Sequence, residues 1–508
     1  MTIIQQNILS LLIILPLVGI LFLILIPFHN HLLLKLVALF FSFLNFIISL
    51  FLWIWFDHST SSFQFVQEII WVPSFNLSLT LGIDGISLFF VLLTTLLIPL
   101  CLLASWPSIV VHLKKYLIYF LVMETFLVGV FCVLDVLLFY IFFESILIPM
   151  FLIIGIWGSR ERKIKAAYYL FFYTLFGSVL MLLAILYLYY QVGTTNYETL
   201  LLTTLTLKEQ KILWLAFFAS FAAKVPMMPF HIWLPEAHVE APTAGSVILA
   251  GVLLKLGTYG FIRYSFPLFP IANFYFAPVV FAMAATAVVY TSLTAIRQTD
   301  FKRIIAYTSV AHMNLVVIGL FSLTVIGLEG SILQSLSHGF VASALFLIIG
   351  IVYDRHHTRL VKYYGGLVHV MPIYIIIFLL FTMANIGLPG TSSFVGEFLI
   401  FVGVYKINTT ITFLGATGMV LGGAYSLWLF NRIAYGNLKI QYFNNFSDIN
   451  KREFFTLLPL IIGTLIMGIY PDIFLTPIHF SVNTLVEQIN FKSSILYTWD
   501  NLYGIKLC

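Results

Sequence analysis

The chain has 508 residues, of which 61% are hydrophobic and 9% are Asp, Glu, Lys or Arg, against about 25% charged residues in an ordinary soluble domain. So few charges cannot solvate a folded surface of this size, and lipid must be the solvent for most of the molecule. The 51 Phe, 26 Tyr and 9 Trp exclude disorder, and a net charge of +5, thinly spread, excludes a nucleic-acid partner.

A membrane-crossing helix needs about 20 mostly apolar residues. About fourteen such segments follow one another, near 8–27, 32–56, 84–105, 115–133, 135–157, 166–190, 212–234, 241–264, 275–296, 302–322, 329–353, 372–404, 410–435 and 455–475. They are continuous apolar runs, which excludes a β-barrel of short alternating strands. The first has no basic residue before it and no small-residue cleavage site after it, so it reads as a retained helix rather than a signal peptide. Between the second and third lies an extended excursion over 57–82, with Trp71 and Pro73, suited to a short hairpin.

Basic residues set orientation, because Lys- and Arg-rich loops stay on the side from which insertion occurs. Alternate loops and loop edges carry most of them, among them Lys114, Arg160, Arg162, Lys302, Arg303, Arg359 and Arg452. The opposite loops and the tail carry Lys208, Lys211, Arg263, Lys406, Lys492 and Lys506, and both termini are expected on that side.

Two lysines fit neither set. Lys224 lies inside the seventh segment and Lys255 inside the eighth, where a charge costs about 2.5–3.5 kcal/mol even on a lenient scale. Glu144 is near the middle of the fifth and Glu397 lies within the twelfth; neither glutamate is long enough to reach an interface. These four are read as a route for ions. Glu124, Asp135, His312 and His338 also fall inside or at the edges of spans and are secondary relay candidates. Two segments are broken beside their charges, the seventh at Pro226 and Pro229, the twelfth at Gly387 to Gly390 around Pro389. Broken helices at membrane depth are tolerated where they line a cavity or lie within protein, and they are frequent in transporters built from repeats. Each broken helix is fourth in a run of five, helices 4 to 8 and helices 9 to 13, and the runs start on opposite sides, so a repeat relating them is inverted.

Other chemistries are not supported. The three cysteines, Cys101, Cys132 and Cys508, form no C-x-x-C pair. His231, His238, Glu236 and Glu240 form a polar cluster, but Pro235 is expected to interrupt any helix that would align them on a metal. No span holds two histidines for a haem, and no G-x-G-x-x-G or Walker lysine is present.

The stretches Phe142-Phe143-Glu144-Ser145-Ile146-Leu147-Ile148-Pro149-Met150, Lys224-Val225-Pro226 running on to His231-Ile232-Trp233-Leu234-Pro235-Glu236-Ala237-His238-Val239-Glu240-Ala241-Pro242, and Leu253-Leu254-Lys255-Leu256-Gly257 resemble the antiporter-like membrane subunits of respiratory complex I, the proton-pumping NADH:ubiquinone oxidoreductase. Asp84, the Arg297 to His312 stretch, Ser337-His338-Gly339 and Gly387-Leu388-Pro389-Gly390 also fit, and the resemblance runs from about residue 8 to 475. It implies an all-α polytopic membrane protein of fourteen helices, divided as 1–114, a first inverted repeat over 115–264, a second over 275–435, and 436–508 for the last helix and tail. It also implies a proton-translocating subunit without a cofactor of its own, NADH, FMN, iron–sulfur clusters and ubiquinone being held by other subunits. Its partners would be the other membrane subunits, neighbouring antiporter-like ones included, and lipids, in the mitochondrial inner membrane with the basic loops in the matrix. In that family the helix-5 glutamate pairs with the helix-7 lysine and the helix-8 lysine relays protons to helix 12, which by motif means Glu144, Lys224, Lys255 and Glu397; sister subunits usually carry lysine at the last position. Relatives in multisubunit cation/proton antiporters and membrane-bound hydrogenases share this core, and a structural subunit with buried ion pairs is a further alternative.

Overall fold

In lipid the backbone must satisfy its own hydrogen bonds, so long apolar runs become helices. The computed structural model describes residues 7–439 and 447–502, with 5 and 442; Lys506 and Cys508 lie outside the described residues. Among the described residues, twelve helices are long and apolar enough to cross a membrane: α1 (Ile8–Leu25), α2 (His31–Ile54), α3 (Gly85–Ala104), α4 (Leu113–Cys132), α5 (Val136–Trp157), α6 (Lys163–Val192), α8 (Thr243–Leu268), α9 (Pro270–Ile296), α10 (Phe301–Phe321), α11 (Val325–His356), α13 (Thr409–Ala434) and α14 (Lys451–Ile469). The two other segments expected to cross are the two broken ones. The seventh forms α7a (Leu207–Lys224) and α7b (Trp233–Glu240), and the twelfth forms α12a (Pro372–Ile386) and α12b (Ser392–Tyr405). Pro235 does not interrupt α7b as expected from sequence; it occupies the first turn, where its missing N–H would have no partner anyway.

Burial separates inner from outer helices. The most apolar window of α8 is wholly buried, and those of α11, α10 and α3 are 94%, 89% and 83% buried, against 28% for α2 and α14. Lys255, His312 and His338 sit on inner helices, so their depth in the sequence is also depth in the protein. The excursion after α2 is an antiparallel hairpin of β1 (Gln64–Val72) and β2 (Leu77–Ile83), with Glu68 opposite Thr80.

The tail carries a feature that no motif in the chain announces. Helix α15 (Asp472–Leu502) packs on α3, the end of α8, α9 and α11. A Cβ at Gly85 would stand 1.9 Å from the Pro477 carbonyl oxygen, the Gly85 N–H donates to Ser481 Oγ at 3.1 Å, and Lys492 Nζ donates to the Pro267 carbonyl at 3.0 Å. His479 Nδ1 meets Glu329 Oε1 at 2.5 Å. The helix therefore straps α3 and α11 at one end to α8 at the other.

Three basic residues assigned to loops are buried instead. Lys302 and Arg359 are each 2% exposed, and Arg263 donates from Nη2 to Asp84 Oδ1 at 2.6 Å inside the protein. Asp84 also caps α3 by accepting from the Ser87 N–H at 3.0 Å. Removing one partner of a buried pair leaves the other charge uncompensated, at a cost of about 3–5 kcal/mol. Asp84→Ala is therefore expected to lower the melting temperature in detergent far more than the Asp84→Asn, Arg263→Met double change, which removes both charges; equal losses would show that the pair is not what holds α3 to α8.

Candidate functional site

Lys224 ends α7a, where the chain leaves helical geometry, and its ammonium sits between α5 and the break. Nζ donates to the Phe143 carbonyl at 2.5 Å, lies over the Phe143 ring, and is 3.6 Å from Glu144 Oε1. This is an ion pair at a separation longer than a hydrogen bond. The interrupted turn is satisfied by its neighbours: Trp233 Nε1 donates to the Ala223 carbonyl at 2.8 Å, and Asn314 Nδ2 on α10 donates to the Pro226 carbonyl at 3.2 Å. Helix α8 packs directly on the break, because a Cβ at Gly257 would come within 2.5 Å of Val225 Cγ2 and 2.9 Å of the Phe221 carbonyl oxygen.

Lys255 lies two residues before that contact, twelve residues into α8, about 18 Å along its axis. Its Nζ donates to the Ala250 carbonyl at 2.5 Å, within a wide π-turn over Leu249–Leu253, and meets His338 Nδ1 at 2.8 Å. The His338 and His312 rings are 6.0 Å apart by centroid. His312 Nδ1 is 3.0 Å from Glu397 Oε1, which also accepts from Gln334 Nε2 at 3.0 Å. The structure thus brings Lys255, His338, His312 and Glu397, taken from four different helices, into one row. The Nε2 atoms of both histidines and Glu397 Oε2 are buried with no hydrogen-bond partner among the described residues, a combination that calls for water.

Glu397 opens onto a cavity of about 20 Å³ lined by His312, Asn385, Tyr425 and the α13 glycines Gly415, Gly418 and Gly422. One water needs about 10–15 Å³. The break in α12 borders it. Gly387 ends α12a at φ +85°, and a Cβ there would stand 2.9 Å from Glu397 Oε2. Only glycine suits both the backbone and the carboxylate. Pro389 follows, and the Thr391 N–H and Oγ1 both donate to the Leu388 carbonyl, which closes the break.

The secondary candidates divide. His312 and His338 belong to the row. Asp135 is the cap of α5: it accepts from the Leu138 N–H at 2.9 Å and from Thr195 Oγ1 at 2.5 Å. Glu124 is fully buried on α4 and accepts from Asn45 Nδ2 at 2.8 Å, away from the row. Glu236 pairs with Arg303, which removes it from any ligand set with His238. Gln334 and Asn314 were not foreseen. Gln334 is one turn before His338 on α11, and Asn314 is two residues after His312 on α10; a helical wheel drawn from His338 would have found the first.

The transmembrane family described as NADH:quinone oxidoreductase/Mrp antiporter matches residues 133–423. A Marchantia polymorpha protein named NADH-ubiquinone oxidoreductase chain 4 is 58% identical over 483 residues, covering 95% of this chain and 98% of the relative. Among solved structures, a chain of respiratory complex I from Thermus thermophilus superposes with a TM-score of 0.85 at 29% identity, covering 95% of this chain and 99% of its own. A chain of the Mrp complex from Dietzia sp. shares the fold, with a TM-score of 0.81 at 17% identity over 56% of its length. With the whole of both broken helices inside the matched span and near-complete relatives on either side of it, the chain belongs to the NADH:quinone oxidoreductase/Mrp antiporter transmembrane family.

Proposed function

We propose that this chain is the antiporter-like, proton-translocating subunit of a respiratory complex I, coupling NADH oxidation by ubiquinone on other subunits to proton movement through its own helices. The observation that carries this reading is the row from Lys255 through His338 and His312 to Glu397. A structural subunit would need its buried charges paired and closed off, whereas this row leaves three buried nitrogen and oxygen atoms without a partner among the described residues. The flavin, iron–sulfur clusters and ubiquinone belong to partner subunits, and neighbouring antiporter-like subunits and lipids surround the bundle. On this reading the chain crosses the membrane fourteen times, with inverted repeats over 115–264 and 275–435, and its basic loops face the matrix of the mitochondrion.

The Glu144–Lys224 pair acts as the switch. With the carboxylate 3.6 Å away, the ammonium is stabilised. When an event elsewhere in the complex displaces or neutralises Glu144, Lys224 gives up its proton toward Lys255, and the histidines pass protons on to Glu397 by taking one at one ring nitrogen and releasing one from the other. Each proton moved against the membrane potential costs about 2.3 kcal/mol per 100 mV. A change of about two to three pK units at a buried group, at 1.36 kcal/mol each, meets that demand.

Glu144→Gln and Lys224→Ala are expected to abolish proton uptake driven by NADH in vesicles carrying the purified complex; normal pumping by both variants would refute the assignment, and sodium/proton exchange without an electron donor would favour the cation antiporter. Gly387→Ala adds a side chain where both φ and Glu397 Oε2 forbid it, so it is expected to cut pumping about as severely as Glu397→Ala while the complex still assembles on a native gel.

A further inference from the structure

Atoms that line an unfilled space lose dispersion contacts outright, and an apolar space holds no water. One such space, of about 340 Å³, lies between α2 and α14. Phe46, Leu50 and Trp53 line it from α2, and Pro459, Ile462 and Gly463 from α14. Both are outer helices, each with 28% of its most apolar window buried, and Ile462 is 47% exposed, so the space opens on the lipid-facing surface.

The same helical faces carry a cation near each N-terminal end. Lys35 stands eleven residues before Phe46, and Arg452 stands seven before Pro459 and eleven before Gly463, spacings that return to one face of a helix. At 1.5 Å per residue the cations are about 11–17 Å from the near edge of the space. One acyl chain spans about half of the roughly 30 Å hydrocarbon core, so a chain hung from these cations ends inside it. The cations are also close to each other, Arg452 being within electrostatic reach of Lys35. The end of α3 joins them: Lys35 Nζ donates to the Trp106 carbonyl at 2.6 Å and lies 5.4 Å from that ring's centroid, and Arg452 borders Ala104 in a cavity of about 20 Å³. Neither cation is satisfied. Lys35 keeps two N–H groups beyond the one given to Trp106. Arg452 Nε is buried without a partner among the described residues, and its Nη2 is 3.7 Å from Glu453 Oε1, longer than a hydrogen bond. Glu453 is engaged elsewhere, its Oε2 accepting from Arg355 Nη2 at 2.7 Å and from the Asn450 N–H at 3.0 Å. Asp354 also faces Arg452 from the end of α11.

We propose that this cleft seats an anionic glycerophospholipid, its phosphate between Lys35 and Arg452 and one acyl chain in the apolar space between α2 and α14. The phosphate accepts from the free N–H groups of both cations and relieves their mutual repulsion. Trp106 lies at headgroup level, where tryptophan is enriched, and the chain supplies the contacts that the lining lacks. Basic pockets between transmembrane helices suit such headgroups. A zwitterionic lipid brings an ammonium of its own toward two cations, so the charges select the anionic class. The inference does not depend on the chain being a proton pump, because its test counts bound lipid.

The assembled complex is placed in phosphatidylcholine vesicles with a trace of phospholipid bearing a photoactivatable diazirine in one acyl chain. The probe's headgroup is phosphatidylglycerol in one set and phosphatidylcholine in the other, and label on residues 46–53 and 458–466 is measured after illumination. The anionic probe is expected to label these segments about tenfold or more above the zwitterionic one. In the Lys35→Gln, Arg452→Gln double variant the preference is expected to fall below about threefold, with zwitterionic labelling unchanged. Equal labelling by both probes in the wild type, or full preference in the variant, overturns the proposal. Absence of label from both probes means that protein fills the cleft, and overturns it as well. Where the double variant does not assemble, the wild-type complex in about 1 M salt decides, because screening then acts within about 3 Å: a loss of preference of about threefold or more supports the site, and unchanged preference overturns it.

Discussion

A polar group at mid-bilayer depth has no bulk water to turn to, so its partner must come from the protein or from water the protein admits. That constraint explains why the inner helices approach so closely. Gly257 lets α8 touch the break in α7, Gly330 and Gly396 bring α11 against α12b, and Gly251 and Gly339 bring α8 against α11. At each of these contacts a Cβ would fall within about 3 Å of a neighbouring atom. The short separations bring Gln334 within reach of Glu397 and His338 within reach of Lys255. Without them the ionisable groups would stand across gaps that a hydrogen bond cannot span.

Helix α11 carries more of this than any one motif suggests. It presents Gln334 and His338 to the row and Ser343 to α8, stacks Phe346 on His238, and pairs Glu329 with the strap helix α15. Helix α10 plays the complementary part: Asn314 closes the break in α7, and His312, half a turn away, binds the acid beside the break in α12. The two breaks are therefore tied through a single continuous helix, and a shift of α10 along its axis would be felt at both.

What the sequence revealed followed from depth. Lys224, Lys255, Glu144 and Glu397 stood out because charge is scarce in an apolar run, and Pro226 and Pro389 because proline removes a backbone donor. Depth alone misled where a helix end lies deeper in the protein than its hydropathy implies. Lys302 and Arg263 lie at helix ends and read as loop charges, yet each is enclosed by packing from elements distant in sequence, Ala241 and Ser246 for the one, Asp84 for the other. Asp135 has a local task that its place at a span edge does not reveal: its oxygens cap α5 and hold Thr195. The α15 strap escaped because its amphipathic face is matched to α3, α8 and α11, not to lipid, and an apolar stripe in one chain does not name what it covers.

In the proposed relay the identity of the terminal group would have a physical consequence. A proton passed from a lysine to another lysine relocates a cation and leaves the number of buried charges unchanged. Passed from the Lys255 end to Glu397, it extinguishes an ammonium and a carboxylate together, which relieves two desolvation penalties while giving up their mutual attraction. In a medium of low polarity those terms are individually large and opposed, so the balance would depend on hydration around His312 and the Glu397 cavity. In the proposed relay, which would end on an acid, water access at that acid would be the control, and the glycine-lined cavity on α13 and the Gly387 break both border Glu397.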